Sequence, residues 1–148
     1  MTESIADQVV PGVKAALAYA LTVFSIGFLL GAVRIWLLAP HVGTFAAVSL
    51  ETPLILAASW YLSSYWLQRF SVGSALRTRL WVGIAAFMVL MALEITLSIS
   101  LFHRSIAEFL AQLRTPAGAL GFAGQIAFAS FPLLGALTTR RANRLHRP

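Results

Sequence analysis

Read for apolar and polar positions alone, the chain alternates four long apolar stretches with short polar links. The stretches cover about 15–38, 44–67, 80–102 and 117–137. Each is long enough to cross ~30 Å of hydrocarbon as a helix, which takes about 20 residues. Inside a bilayer the backbone must satisfy its own N–H and C=O groups, so unbroken apolar runs predict helices. The expected fold is all-α: an integral membrane four-helix bundle forming a single transmembrane domain over residues 1–148.

The links sharpen this picture. Residues 39–43 hold Pro40 and Gly43 and predict a tight turn, which makes the first two helices antiparallel neighbours. Residues 68–79 form a short basic link. The third link is the most structured. Ser105 and Glu108 have capping-box spacing, and Ile106, Phe109, Leu110 and Leu113 recur at helical intervals. This predicts a short interfacial amphipathic helix between helices 3 and 4, over about 105–114. Thr115 and Pro116 then supply an N-cap and a first helical residue for the fourth span. The N-terminal segment carries Glu3 and Asp7 but no basic run, and the first span is too long for a signal-peptide core, so it reads as a retained helix.

Composition agrees. The hydrophobic share is 59% and the charged share 11%, against about 25% charged in soluble domains. The net charge is +6, which in a soluble protein would raise nucleic acid as a partner. Here the basic residues flank apolar runs. Arg69, Arg77, Arg79, Arg140, Arg141 and Arg144 are therefore expected to contact anionic lipid, and no nucleic acid is expected. With four spans, those residues and Lys14 fall on one side, and Arg104 and Arg114 on the other. The positive-inside rule makes this an inner-membrane protein with cytoplasmic termini and a basic cytoplasmic tail over 138–148. Trp36 on one side, and Tyr65, Trp66, Phe70 and Trp81 on the other, read as interfacial anchors. Ten arginines against one lysine, with abundant alanine, have the look of a GC-rich bacterial genome.

Three charged residues lie inside the spans: Arg34, Glu51 and Glu94. At 1.5 Å of rise per residue they fall about 6, 10 and 12 Å below the outer ends of their helices, and Gln125 falls at about the last level. Each helix thus places one polar side chain in one layer. A lone ionised side chain there costs about 2.5–3.5 kcal/mol or more, which pairing Arg34 with a carboxylate would reduce. Two expectations stand side by side. The four residues form a buried polar cluster that handles a proton, ion or substrate; or Arg34 snorkels, Glu51 serves the irregular backbone at Pro53, and Glu94 packs against Gln125. Gly27 and Gly31, and Gly118, Gly121 and Gly124, lead toward the same layer and are expected to pack helices closely or to form a homo-oligomer seam.

Catalytic patterns fail. There is no cysteine, no glycine-rich phosphate loop, no HExxH and no GxSxG. His41 and His103 lie near the outer face without ligand spacing, so neither metal nor cofactor is expected. Size and layout resemble small multidrug-resistance transporters, which also use a membrane-embedded glutamate. That family carries it in the first helix, where this chain has Arg34 and no acid, so no function is carried over. The leading expectation is a non-enzymatic accessory or interaction subunit, partnered by the bilayer and by its own copies or a larger membrane protein. An oligomeric proton-coupled transporter or channel using Glu51 or Glu94 comes next, and a membrane-embedded lipid-modifying enzyme third.

Overall fold

The structure, a computed structural model, describes the backbone of residues 5–145 and the side chains of 9–138. Its described residues are helical almost throughout. In chain order they form α1 (Ile5–Val33), a π turn (Arg34–Leu38), α2 (Ala39–Val42), α3 (Thr44–Arg69), α4 (Leu76–Ser100), α5 (Ile106–Leu113) and α6 (Pro116–Leu145). Four stretches are long and apolar enough to cross a membrane: Val9–Val42, Thr44–Arg69, Leu76–Ser100 and Pro116–Thr138.

The first helix does not stop where the turn was expected. Pro40 has no N–H, and its ring would strike the Trp36 carbonyl in a regular α-helix. The ladder widens instead, and the Ala39 N–H reaches back five residues to the Arg34 carbonyl. The helix then runs on to Val42. Reversal falls to Gly43, whose φ of +81° lies in the left-handed region that a glycine enters without steric cost.

The turn between α3 and α4 is closed by hydrogen bonds from Val72 N–H to the Leu67 carbonyl (2.9 Å) and from Ser71 N–H to the Gln68 carbonyl (3.0 Å). That is a Schellman motif, with Ser71 at φ +52° where glycine is usual. Leu67 and Val72, its apolar contact, are both buried.

The capping box at α5 forms as the spacing predicts. The Ser105 Oγ accepts from the Glu108 N–H (3.2 Å), and the Ser105 N–H donates to Glu108 Oε2 (2.7 Å). Thr115 caps α6 by accepting from the Gly118 N–H at 3.0 Å.

α1 and α6 each pack against both α3 and α4. The core is lopsided. Ala15, Ala16, Tyr19, Ala20 and Val23 of α1 bury against Val82, Ala86 and Leu90 of α4 and Phe128 of α6. They run from the end that holds the chain termini to just past the middle of the long helices, where Leu90 and Phe128 lie. Toward the other end, which carries α5, burial is sparse: the π turn and α2 bury no residue.

Candidate functional site

Arg34 opens the π turn, so the same widening that Pro40 causes sets where its side chain leaves the helix. Arg34 Nε lies 2.6 Å from Glu51 Oε2 on α3, with side chains only 25% and 15% exposed. Neither atom makes an aligned hydrogen bond, so the two meet as opposite charges and not through a directed N–H. Beside the pair lies a groove of about 140 Å³ lined by Leu30, Val33, Leu38, Leu50 and Leu54, with Glu51 its one polar residue. α3 runs on as an α-helix through Pro53, and the Thr52 hydroxyl donates to the Val48 carbonyl at 2.7 Å.

Glu94 sits on the α4 face that also carries Gly83 and Leu90. The Gln125 amide of α6 donates to Glu94 Oε2 at 2.6 Å, with the Phe87–Phe122 edge contact spanning the same two helices. The Gln125 Oε1 is buried without a partner. The four polar residues of the expected layer therefore meet as two contacts, one joining α1 to α3 and the other α4 to α6. Among the described residues Glu94 has one neutral partner and no cation.

A second polar constellation is one the spacing arguments did not single out. Pro132, fully buried on α6, leaves the Phe128 carbonyl without its usual i+4 N–H. The Tyr19 hydroxyl of α1 donates to that carbonyl at 3.0 Å, and its ring stacks on Phe128. The buried Ser59 hydroxyl of α3 also hydrogen-bonds to Tyr19. One tyrosine thereby joins three helices at the termini end. Next to it, the Trp66 indole donates to Thr22 Oγ1 at 3.0 Å. A proline four residues after a phenylalanine was the available signal, but the acceptor it frees had no visible donor in the sequence.

The glycines divide. A Cβ on Gly83, which the pattern did not pick for close packing, would collide with the Ala129 carbonyl, so this residue carries the α4–α6 approach. A Cβ on Gly118 would strike the Gln112 carbonyl, which places its role in the tight α5–α6 turn. Gly27 would meet only Ile55 at ordinary distance, Gly31 only the Arg34 side chain, and Gly121 and Gly124 nothing within 4 Å.

Arg69 and Arg77 are exposed near the termini end. Arg79 turns back and donates to the Gly73 (2.9 Å) and Val72 (3.1 Å) carbonyls, stitching the α3–α4 turn. Arg140, Arg141 and Arg144 lie outside the described side chains. His41 Nδ1 bonds the Leu37 carbonyl at 2.8 Å. Comparison with models of known protein families, with curated proteins and with solved structures finds no match to this chain.

Proposed function

We propose that this chain is a small multi-pass inner-membrane protein, a four-helix bundle that works by binding another membrane protein or its own copies, and not by chemistry. Its termini face the cytoplasm. The observation that carries the reading is the closed core at the termini end. There Tyr19, Ala86 and Phe128 fill the space between helices, and Tyr19 ties three helices together. A rigid plug of that kind suits a scaffold for intramembrane contacts. It leaves the lipid-facing surfaces of the spans, which are apolar and largely unburied, as the working part.

Native mass spectrometry of the tagged protein, extracted in mild detergent from its own host, tests this. A second membrane protein or further copies retained at fixed stoichiometry is the expected result. A lone chain, with no partner captured by crosslinking in intact membranes, would remove the proposal. A reporter fused to the C-terminus should read as cytoplasmic, and a periplasmic signal would overturn the topology.

Glu94 favours a second reading. A carboxyl within a span, held by one neutral amide, is the kind of group that takes up and releases a proton in a coupled transporter. Under this reading the Glu94→Gln variant folds but loses proton-linked flux in liposomes. Under the interaction reading it folds and keeps its partners.

A further inference from the structure

A charged pair inside a bilayer is tolerated when its polar atoms are satisfied, and the Arg34–Glu51 pair is satisfied only in part. A guanidinium carries five N–H donors, and Glu51 meets Arg34 at Nε. Among the described residues no oxygen accepts a hydrogen bond from the two terminal nitrogens. Nη2 lies alongside Gly31, 3.7 Å from where a Cβ would stand, and a glycine has no side chain to cover it. The Arg34 side chain keeps 25% of its surface exposed. A planar donor fork with that access suits a phosphate, which it can hold through two parallel bonds.

Glu51 also borders the apolar groove, as its one polar residue. Three of the walls, Val33, Leu50 and Leu54, are about half exposed, so the groove opens on the flank of the α1–α3 pair. For helices that cross a bilayer, this flank meets lipid. The groove measures about 140 Å³, and a dry apolar cavity of about 150 Å³ holds a benzene-sized hydrocarbon. A segment of acyl chain of that size fits it.

Depth brings a lipid head within reach. Glu51 lies seven residues after Thr44, about 10 Å along α3. The 26 residues of α3 span roughly 39 Å against ~30 Å of hydrocarbon, so the helix ends project beyond it. The pair therefore lies about 5–6 Å inside the boundary on the α5 side, a depth at which a bilayer thins locally to bring polar groups to a charge. Trp36, two residues past Arg34 and 78% exposed, fits the same interfacial level.

Charge selects the head. Arg34 and Glu51 are neutral together, so a purely anionic head would leave the Glu51 carboxylate opposed to it. A head that brings a primary ammonium beside its phosphate meets the fork and the carboxylate at once. From this we infer that the Arg34–Glu51 pair and its leucine groove bind one phospholipid of the α5-side leaflet, with its phosphate on Arg34, its ammonium on Glu51 and an acyl chain in the groove. The inference needs the four spans but no protein partner. A chain found without protein partners would remove the interaction reading and leave this one standing.

The purified full-length protein in detergent micelles, titrated with phosphatidylethanolamine, phosphatidylcholine or phosphatidylglycerol of identical chains and read by native mass spectrometry, tests it. Phosphatidylethanolamine should bind one to one, about three- to tenfold more tightly than the other two. Arg34→Lys keeps the charge but loses the fork, and should remove that preference. Leu54→Trp fills the groove from an exposed position and leaves the pair intact; it should weaken phosphatidylethanolamine binding by a similar factor. Met88→Trp, on α4 and 62% exposed, adds the same bulk elsewhere and should change nothing. Equal binding of the three lipids, or tighter binding of phosphatidylglycerol, overturns the inference. So does a preference that survives Arg34→Lys, or a Leu54→Trp variant that binds no differently from Met88→Trp.

Discussion

Individual residues carry unequal weight in this chain, and Arg34 carries more than its charge alone implies. Its partner Glu51 is 15% exposed, so removing the guanidinium strands a carboxylate in an apolar groove. Arg34→Ala should lower stability by about 1–3 kcal/mol, below the full cost of a broken buried pair because both side chains keep some exposure. Arg104 is exposed, bonds Gln112 and sits over the Phe102 ring, so Arg104→Ala should change little. Thermal unfolding in one detergent compares them, and equal melting temperatures would remove the case for a buried pair. Glu108 gives a pH signature instead. Hydrogen bonds from the Ser105 N–H and hydroxyl hold its carboxyl below the usual glutamate range. A group lowered in the folded state stabilises it fully above the unfolded pKa, and that contribution is lost as pH falls through the lower folded value. The Ser105 and Glu108 amide resonances should therefore shift on the acid side of the ordinary glutamate range. Glu108→Gln, which can still cap, should abolish the titration.

At the scale of the helix, the four spans and α5 were legible because apolar length and capping chemistry are local properties. Ser105 and Glu108 act within one turn at the start of α5, and Thr115 and Pro116 within one turn at the start of α6, as their spacing implies. Helix contacts were less legible, because a contact depends on which faces meet and on backbone groups that the side-chain pattern does not encode. Gly27 and Gly31 have the spacing of a packing motif, but Gly83, an isolated glycine, makes the close approach because the Ala129 carbonyl of α6 faces it. The polar layer was legible as a set of depths, whereas its division into an α1–α3 pair and an α4–α6 pair required the packing order. Gly83→Ala should push α4 from α6 and cost about 1–3 kcal/mol, the range for overpacking. Gly121→Ala has open space and should be neutral or slightly stabilising through its helix propensity. Paired melting curves of the two variants decide whether the α4–α6 contact is set where the structure puts it.

Across the whole molecule, burial is dense from the termini end to the middle of the long helices and sparse around the π turn. The Arg34–Glu51 contact lies at the sparse end, while Glu94–Gln125 borders the core, one turn from Leu90 and three residues from Phe128. Local stability follows the density of buried contacts, so the two ends should open with different free energies. Two further features weaken the α5 end. The π turn replaces regular bonds with a five-residue reach, and Pro40 supplies no N–H at all. Hydrogen exchange in micelles or nanodiscs can read this directly. Amides of 16–24 in α1 should be among the slowest, and those of 34–39 among the fastest within the first span, by orders of magnitude in protection. Tyr19→Phe removes the bond to the Phe128 carbonyl that Pro132 leaves without a helical partner. It should therefore speed exchange across 16–24 and leave 34–39 nearly unchanged. If instead the whole of α1 exchanges as one unit in both proteins, the two ends are a single cooperative body. The Arg34–Glu51 pair would then share the rigidity of the core, and sparse burial at the α5 end would not lower its local stability.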